Sequence, residues 1–300
     1  MTPAVPMSPL NVWILAARPK TLPAAVAPVV AGTAVAIHEG GEHWPSAFFA
    51  LLTALLLQIA ANFANDALDF RKGADTPDRL GPTRVTSSGL LEASTVIRAT
   101  GIVLLLAVCT GLPLVMRGGW ELLIPGIAAI VCAVAYTGGP FPLAYLGLGE
   151  VFVFIFFGLV AVVGTAYVQT GNLTALAITT AIPIGALEMA ILIVNNLRDL
   201  PTDRAAGKHT LAVRFGEQGT RLEYALMLAI AAVTPVVLWA ADWLGWGVIL
   251  TLAWWPFMGS LWKQVTTRTG RALNPTLGNT GRGLLLYAVV LGVALVISSQ

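Results

Sequence analysis

Charged residues are scarce in this sequence: they make up only 11% of its 300 residues, against about 25% in a typical soluble domain. Hydrophobic residues make up 57%, so the composition excludes an ordinary soluble domain and predicts an integral membrane protein. The two cysteines, Cys109 and Cys132, lie inside apolar runs, which argues against a disulfide framework or a thiolate metal site. A net charge of +2 is too small to favour nucleic acid as a partner. No Lys or Arg precedes Arg18, so the N-terminus lacks the cationic region of a secretory signal peptide.

Long apolar runs dominate the sequence instead. A membrane-spanning helix needs about 20 mostly apolar residues, and helices are expected because open strands would leave backbone groups unpaired in lipid. We therefore predict an all-α integral membrane protein, with residues 1–12 as a flexible tail and 13–300 as a single transmembrane domain. Pro19, Pro23 and Pro28 are expected to kink the first span. The nine predicted transmembrane helices are 13–37, 46–69, 95–116, 119–137, 149–169, 173–197, 222–241, 244–263 and 282–299.

The positions of the basic residues predict how these spans are oriented. With the N-terminus in the cytoplasm, 16 of the 17 basic residues fall on the cytoplasmic side and only Arg117 falls outside. This distribution follows the positive-inside rule, and it predicts a multi-pass protein of the plasma (inner) membrane with its C-terminus outside. Two charged cytoplasmic loops, about 70–94 and 198–221, are expected to cap the helices, because loops of that length are usually functional.

Two polar stretches end apolar helices on the predicted cytoplasmic side. Side chains three or four residues apart share one face of a helix. Carboxylates are expensive at a membrane boundary, and pairing them with Asn has no packing rationale, so we favour a functional role over ordinary solvation of helix ends. We interpret the two stretches as halves of one divalent-cation site. The sets that share a face are Gln58, Asn62, Asp66 and Asp69 in the first stretch, and Glu188, Asn195, Asp199 and Asp203 in the second.

The donor atoms of this predicted site are almost all oxygens, and His209 is the one imidazole nearby. Oxygen ligation favours Mg²⁺, with Mn²⁺ or Ca²⁺ as alternatives, over zinc or copper. Mg²⁺ commonly binds through one or two carboxylates plus substrate phosphates, so a diphosphate held between the two halves is the expected ligand. The predicted metal ligands are Asp66, Asp69, Asp75, Asp199 and Asp203, accompanied by the amides of Asn62, Asn65, Asn195 and Asn196.

Basic residues flank both polar stretches. Arg71 and Lys72 follow the first, with Arg79 and Arg84 later in its loop, and the second is surrounded by Arg198, Arg204 and Lys208. Positive charge beside carboxylates is what a diphosphate needs in addition to a metal ion. Of these residues, we predict Arg71, Lys72, Arg198 and Lys208 as substrate contacts. The alternative is that they only satisfy the positive-inside rule or touch anionic lipid headgroups.

Four further charged residues stand at or inside the ends of apolar spans. Glu188 lies well inside the sixth span, where a carboxylate is a functional hypothesis by default, as a base or as a contact for a polar substrate group. The alternative for Glu188 is a hydrogen bond to a neighbouring helix. Glu150 begins the fifth span, where we expect it to favour the helix N-terminus. Arg18 and Lys20, at the mouth of the first span, either anchor the interface or receive an anionic substrate, and the sequence leaves this open.

From ARPKTLPAAVAPVVAGTA at 17–34 to the last helix, the sequence resembles the UbiA superfamily of intramembrane aromatic prenyltransferases. The resemblance implies nine helices around a central cavity that two cytoplasmic loops cap. It points to the menaquinone branch of that superfamily through three further segments: NFANDALDFRKGADTPDRLGPTR (62–84), YTGGPFPLAYLGLGE (136–150) and NNLRDLPTDRAAGKHTLAVRFG (195–216).

This resemblance implies transfer of a polyprenyl group from polyprenyl diphosphate to 1,4-dihydroxy-2-naphthoate, with loss of carbon dioxide, giving demethylmenaquinone. Mg²⁺ on the five Asp residues would hold the diphosphate, with Arg198, Lys208 and Lys72 stabilising it as it departs. A low-dielectric cavity would keep water from an allylic cation. The residues implied to orient the naphthoate ring are Glu188, Tyr136 and Tyr145, with Arg18 or Lys20 at its carboxylate.

Several alternatives stay open from the sequence. Within the superfamily, the acceptor is alternatively 4-hydroxybenzoate, homogentisate, a haem or a sugar phosphate. A phospholipid head-group transferase also pairs Asp residues at a membrane surface, but it carries them on one helix rather than on two distant ones. A transporter or cation exchanger would place its carboxylates near the bilayer midplane, whereas both polar stretches here lie at one face.

Overall fold

Helices form the whole framework of the chain that the structure describes. The computed structural model describes residues 7–73, 79–139 and 142–299, and no strand occurs within those ranges. A π-helical turn, Phe154–Val160, joins α6 to α7. The helices are α1 (Pro9–Ala17), α2 (Pro23–His38), α3 (Trp44–Arg71), α4 (Ala93–Gly118), α5 (Leu123–Ala135), α6 (Gly149–Val153), α7 (Ala161–Thr170), α8 (Ala175–Ala205), α9 (Leu211–Ala240), α10 (Val248–Thr251), α11 (Trp255–Thr267) and α12 (Asn274–Ile297).

Six stretches are long and apolar enough to cross a membrane: α3, α4, α6 through α7, α8, α9, and α12 with the 3₁₀ turn before it. The segments Pro9–Thr21 and Pro23–His38 form a seventh candidate, bent by 50°. This bend confirms the kink that the prolines of the first span predicted, because Pro19 and Pro23 each begin a new helical segment.

Two of the nine predicted spans are not single long helices. The span 119–137 appears as the shorter helical stretch Trp120–Ala135. The span 244–263 is divided into several short pieces, including α10 and α11, where Gly245 has a positive φ of 42° and Pro256 begins a new helix. Length and composition therefore give six spans, or seven with the bent pair, among the described residues, rather than nine.

Helix α8 lies at the centre of the packing. Its membrane-spanning window is 67% buried, and it packs against α2, α9, α12 and the π-helical turn. A Cβ atom on Gly158 of that turn would lie 2.6 Å from the Cα of Gly185 in α8, so the two backbones touch where both residues are glycine. The window of α4, by contrast, is 11% buried, which leaves its apolar side chains to lipid.

The segment between α3 and α4 folds back over the C-terminal end of α3. We call its described part, residues 79–92, the cap loop. Val85 in this loop is fully buried and packs into a small core with Val12 of α1, Phe63 of α3 and Val96 of α4. That apolar anchor fixes the loop above the helix ends where the first polar stretch lies.

The predicted second loop, 198–221, is mostly helical in the structure. Helix α8 continues through Pro201 to Ala205, and α9 begins at Leu211 with a break at Gly216. The charged residues of 198–221 predicted a loop. A helix that extends beyond the apolar layer into water can carry charged side chains, however, because they stay solvated there. Asp199 and Asp203 consequently lie on the last turns of α8 rather than in a loop.

Candidate active site

A cavity of about 340 Å³ opens between α1, α2, α3, α5, the π-helical turn and α8. Its polar part lies at the C-terminal ends of α3 and α8, under the cap loop, and its apolar part lies further along the same helices. The apolar wall is lined by side chains such as Ala25, Pro28, Ala54, Leu57, Cys132, Phe156 and Leu192. A ligand with a charged head and a hydrocarbon tail matches this division.

Most of the residues predicted from the two polar stretches converge on this cavity. Helix periodicity places Asn62 and Asp69 on one face of α3 and the set from α8 on one face of that helix, and both faces line the same cavity. The predicted residues that line the cavity are Arg18, Asn62, Asn65, Asp69, Tyr136, Tyr145, Glu188, Asn195, Asn196, Asp199, Asp203 and Lys208.

Asp69 is held between α3 and the cap loop. Its Oδ2 atom lies 2.6 Å from Arg84 Nη2, and both side chains are only 7% exposed. Arg84 Nη1 also donates a hydrogen bond to the carbonyl of Asn65 at 2.9 Å. The cap loop thus brings a cation to the carboxylate that lines the cavity.

Asp66 lies one turn earlier on α3, is 1% exposed, and faces the cap loop rather than the cavity. Its two carboxylate oxygens accept hydrogen bonds from the backbone N–H groups of Val85, at 3.1 Å, and Thr86, at 3.0 Å. The Thr86 hydroxyl donates to the same carboxylate. Asp66 therefore fastens the cap loop to α3.

The two carboxylates of α8 that line the cavity are each paired with a cation. Asp199 accepts from Arg198 Nε at 2.8 Å and from Nη2 at 2.5 Å. Asp203 Oδ1 lies 2.9 Å from Lys208 Nζ. Because Lys208 lines the cavity as well, this half of the site presents both signs of charge.

Tyr145 connects the two halves of the site. Its hydroxyl donates to Asp69 Oδ1 at 3.3 Å, and its ring lies 4.9 Å from Lys208 Nζ and 5.2 Å from Lys72 Nζ. Burial, followed by the negative charge of Asp69, raises the pKa of Tyr145 above its usual value. The phenol consequently stays a protonated donor.

Several predicted site residues lie away from the cavity. Lys20 and Arg71 are exposed. Lys72 is exposed as well and donates to the carbonyl of Thr137 at 2.6 Å. Arg198 is 2% exposed, and its donors are used by Asp199, by Asn195 at 2.8 Å and by Asn274 at 2.9 Å. Asp75 lies outside the described residues.

Two cavity-lining cations were not among the predicted contacts. Arg79 and Arg84, both in the cap loop, line the cavity. The sequence shows that this loop is basic and rich in Pro and Gly, but it does not show which of its side chains turn inward. That direction is set by the buried Val85 and by the hydrogen bonds to Asp66.

Arg18 Nη2 and Glu188 Oε1 are buried at the cavity without a hydrogen-bond partner among the described residues. Arg18 has φ 52° and ψ 69°, a conformation that is costly for a residue other than glycine, and its Nη2 lies 3.8 Å from Asp66 Oδ2. Glu188 is 3% exposed. Arg18 Nη2 therefore has an ion-pair partner in Asp66 but no hydrogen bond. Buried polar groups without a hydrogen bond are costly, so both atoms are expected to gain one from a bound molecule.

The donor atoms at the polar end suit Mg²⁺. They are carboxylate and amide oxygens, which Mg²⁺ prefers. No group of three or more His, Cys, Asp or Glu side chains in the described ranges is close enough to hold a metal by itself. This fits an ion that binds through one or two carboxylates and takes its remaining ligands from water and a phosphorylated substrate.

A cavity between apolar helices, with carboxylates and cations at one end and a hydrocarbon wall at the other, is typical of a membrane enzyme whose ligand has a charged head and an apolar tail. Residues 25–279 match the model of the UbiA prenyltransferase family, and the chain belongs to that family.

Relatives of the chain agree with this assignment. The 1,4-dihydroxy-2-naphthoate octaprenyltransferase of Mycobacterium tuberculosis is 41% identical over 283 residues, covering 94% of this chain and 96% of its own. The enzyme of the same name from Escherichia coli is 38% identical over 300 residues, covering 96% and 97%. A solved structure of a UbiA homolog from Archaeoglobus fulgidus, bound to DMAPP and Mg²⁺, has a TM-score of 0.64 at 15% identity and covers 95% of this chain and 99% of its own. This last likeness supports the fold.

Proposed function

We propose that this protein transfers a polyprenyl group from polyprenyl diphosphate to 1,4-dihydroxy-2-naphthoate, with loss of carbon dioxide, as a step of menaquinone biosynthesis. The observation that carries the proposal is the convergence of Asp69 from α3 with Asp199 and Asp203 from α8 on one cavity whose far wall is apolar. The names of the two bacterial relatives support the choice of acceptor.

Mg²⁺ is the proposed cofactor at the polar end of the cavity. Asp69 on α3 and Asp199 and Asp203 on α8 would bind it through one or two carboxylates at a time, and water and the diphosphate would supply the remaining ligands. When bound, the ion would neutralise diphosphate oxygens and make the diphosphate a better leaving group. The sequence also predicts Asp66 and Asp75 as ligands. Asp66 already accepts three hydrogen bonds from the cap loop, and Asp75 lies outside the described residues.

The cations at the polar end are proposed to hold the diphosphate. Arg84 and Lys208 neutralise Asp69 and Asp203, and Arg79 lines the same space. A diphosphate placed among them would receive charge-assisted hydrogen bonds, which strengthen as negative charge develops on the leaving group.

The acceptor ring is proposed to lie between the diphosphate and Glu188. Arg18, whose buried Nη2 lies 3.8 Å from Asp66 but makes no hydrogen bond, would receive the naphthoate carboxylate. Glu188, whose Oε1 also makes no hydrogen bond to the described residues, would accept from a ring hydroxyl. Tyr136 and Tyr145 line the same space and would fix the plane of the ring. Each assignment gives a buried polar atom the partner that it lacks.

The proposed reaction breaks the allylic C–O bond of the prenyl diphosphate, and pyrophosphate leaves with the bonding electrons. The electron-rich ring carbon that bears the carboxylate forms the new C–C bond to the allylic carbon. Loss of that carboxylate as carbon dioxide returns its bonding electrons to the ring, which gives demethylmenaquinone in its reduced, quinol form. The apolar wall of the cavity excludes the water that would otherwise capture the allylic cation.

The proposed topology has all nine apolar segments crossing a plasma membrane, with the N-terminus, the cap loop and the polar end of the cavity in the cytoplasm and the C-terminus outside. The charge asymmetry supports this arrangement, because Arg117 alone among the basic residues falls on the outer side. The bent pair formed by α1 and α2 would then be one span, and the divided segment 244–263 another.

Purified protein in liposomes, incubated with Mg²⁺ and labelled prenyl diphosphate, tests the proposal against a panel of acceptors. We expect prenylated product and released carbon dioxide with 1,4-dihydroxy-2-naphthoate, and no product once Mg²⁺ is chelated. We expect Asp199→Ala to abolish turnover and Glu217→Ala to preserve it, since Glu217 is an exposed acid of α9 that pairs with Arg221 on the same helix. Prenylation of 4-hydroxybenzoate or homogentisate in preference to the naphthoate would overturn the proposed acceptor.

A further inference from the structure

Glu150, the second residue of α6, uses its carboxylate to accept a hydrogen bond from a neighbouring helix. It is 1% exposed, and its Oε1 atom accepts a hydrogen bond of 2.7 Å from the Nδ2 atom of Asn196 in α8. Glu150 lies in the first turn of α6, where its carboxylate is expected to favour the helix N-terminus. The bond to Asn196 gives the same carboxylate a second role, because it connects α6 to α8.

The chemistry of this hydrogen bond fixes the direction of the Asn196 amide. An ionised carboxylate only accepts hydrogen bonds, so the amide must turn its nitrogen toward Glu150. Its oxygen then points the other way, and Asn196 lines the cavity. Asn196 also precedes Asp199 by three residues and Asp203 by seven, so all three share one face of α8.

The opposite wall repeats the arrangement with different partners. Asn62 of α3 uses its Nδ2 atom to donate to the carbonyl of Ala17 and to the hydroxyl of Thr21, both at 3.0 Å. Its amide oxygen is thereby also left for the cavity that Asn62 lines. Each half of the site thus offers one Asn amide oxygen to the cavity, and the hydrogen bond that the nitrogen of the same amide donates sets the direction of that oxygen.

We infer that Glu150 is a positioning residue that holds the amide oxygen of Asn196 toward the Mg²⁺-diphosphate end of the cavity. The inference rests on the proposed function, because that function identifies the polar end as the place where the ion and the diphosphate bind. A residue that orients a metal ligand by hydrogen bonding to it, without touching the metal, typically changes metal affinity or activity by about 10–100-fold. Glu150 would act through Asn196 without touching substrate.

Glu223 of α9 provides a matched control. It is a second partly buried glutamate close enough to Glu150 for the two charges to interact, but its Oε2 atom is buried without a hydrogen bond to the described residues. Glu223→Gln removes a negative charge from the same neighbourhood and leaves the bond between Glu150 and Asn196 in place.

The test measures Mg²⁺ binding by the purified full-length protein as the rise of its Tm in inorganic pyrophosphate, so that no turnover is needed. We expect Glu150→Leu to raise the Mg²⁺ concentration that gives half of the Tm rise by about 10–100-fold. We expect Glu150→Gln, which keeps an acceptor oxygen, and Glu223→Gln to stay close to the unmodified protein. An unchanged Mg²⁺ response in Glu150→Leu would overturn the inference.

A second test exchanges the carboxyl and amide groups of Glu150 and Asn196, and it tests the positioning role even if Glu150→Leu does not fold. Asn196→Asp alone sets two carboxylates against each other and is expected to weaken the Mg²⁺ response. In the double variant with Glu150→Gln, the new amide at position 150 can donate a hydrogen bond to the new carboxylate at position 196. The donor and the acceptor have then exchanged places, and the second oxygen of the carboxylate at position 196 faces the cavity. We expect the double variant to bind Mg²⁺ better than Asn196→Asp, and equal or weaker binding would overturn the inference.

Failure of this inference is distinguishable from failure of the proposed function. The Tm measurement contains no acceptor and no prenyl chain, whereas prenyl transfer by the unmodified protein is measured separately. Prenyl transfer with a normal Mg²⁺ response in every Glu150 variant would refute the positioning role alone.

Discussion

Arg84 and Asp69 form an ion pair of 2.6 Å between the cap loop and α3, and both side chains are 7% exposed. The same guanidinium donates to the carbonyl of Asn65, so it joins the loop to two successive turns of the helix. Asp69 is also a proposed Mg²⁺ ligand. The ion and Arg84 would then share one carboxylate, which ties the seating of the cap loop to the charge of the site.

We expect Arg84→Met to destabilise the protein and to weaken diphosphate binding. Removing one partner of a buried ion pair leaves the other charge uncompensated, at a cost of about 3–5 kcal/mol. The measurement is the Tm in the absence of ligand, together with KM for the prenyl diphosphate.

Arg98→Met is the control for that prediction, because Arg98 is exposed on α4 and its one hydrogen bond to a side chain of the described residues is to the hydroxyl of Thr95, at 3.4 Å. Equal Tm values for the two variants would show that the pair between Arg84 and Asp69 contributes nothing beyond a surface charge.

A second prediction concerns Asp66. Its carboxylate accepts three hydrogen bonds from Val85 and Thr86, each worth about 0.5–1.5 kcal/mol, so Asp66→Ala is expected to loosen the cap loop. We expect trypsin to cleave after Arg79 or Arg84 faster in this variant, without Mg²⁺ or substrate present.

Asp203→Asn serves as the comparison for Asp66→Ala, since Asp203 is paired with Lys208 and has no hydrogen bond to the cap loop. If the loop is cleaved at the same rate in both variants, Asp66 does not hold it, and the sequence-based role as a metal ligand would account for the residue by itself.

The convergence of the two polar stretches could be predicted because it depends on local geometry. The spacing from Asn62 to Asp69, and from Asn195 to Asp203, is a property of one helix, and the positive-inside rule places both helix ends on one side. The bond between Glu150 and Asn196 could not be predicted, because it depends on which faces of α6 and α8 meet.

The cap loop shows the same limit. Arg79 and Arg84 line the cavity although their segment has no periodicity from which a direction could be inferred. Arg198 was predicted to contact the diphosphate, and in the structure its guanidinium donates to Asp199, Asn195 and Asn274. Charge pattern alone does not show which acceptors a cation at a helix end will meet.

A third prediction is that removing the Glu188 carboxylate stabilises the protein but weakens binding of the acceptor. Its Oε1 atom is buried at the cavity and has no hydrogen-bond partner in the described chain, so Glu188→Leu removes an unsatisfied group. We expect the variant to be more stable, by about 1–3 kcal/mol, and to show a higher KM for the naphthoate with little change in KM for the prenyl diphosphate. A fall in Tm would mean that Glu188 stabilises the fold, and an unchanged KM for the naphthoate would contradict its contact with the acceptor.

The chain supplies its own probe for where the prenyl tail lies. Cys132 lines the apolar wall of the cavity, whereas Cys109 is exposed on α4. We expect prenyl diphosphate with Mg²⁺ to slow alkylation of Cys132 by a small maleimide and to leave the rate at Cys109 unchanged, measured by mass spectrometry on the Cys109→Ser and Cys132→Ser variants. Pyrophosphate with Mg²⁺ should protect neither thiol, because it fills only the polar end. A tail in the cavity would shield the Cys132 thiol from alkylation, whereas pyrophosphate at the polar end would not reach it. If both ligands protected Cys132 equally, the prenyl tail would not lie against this wall.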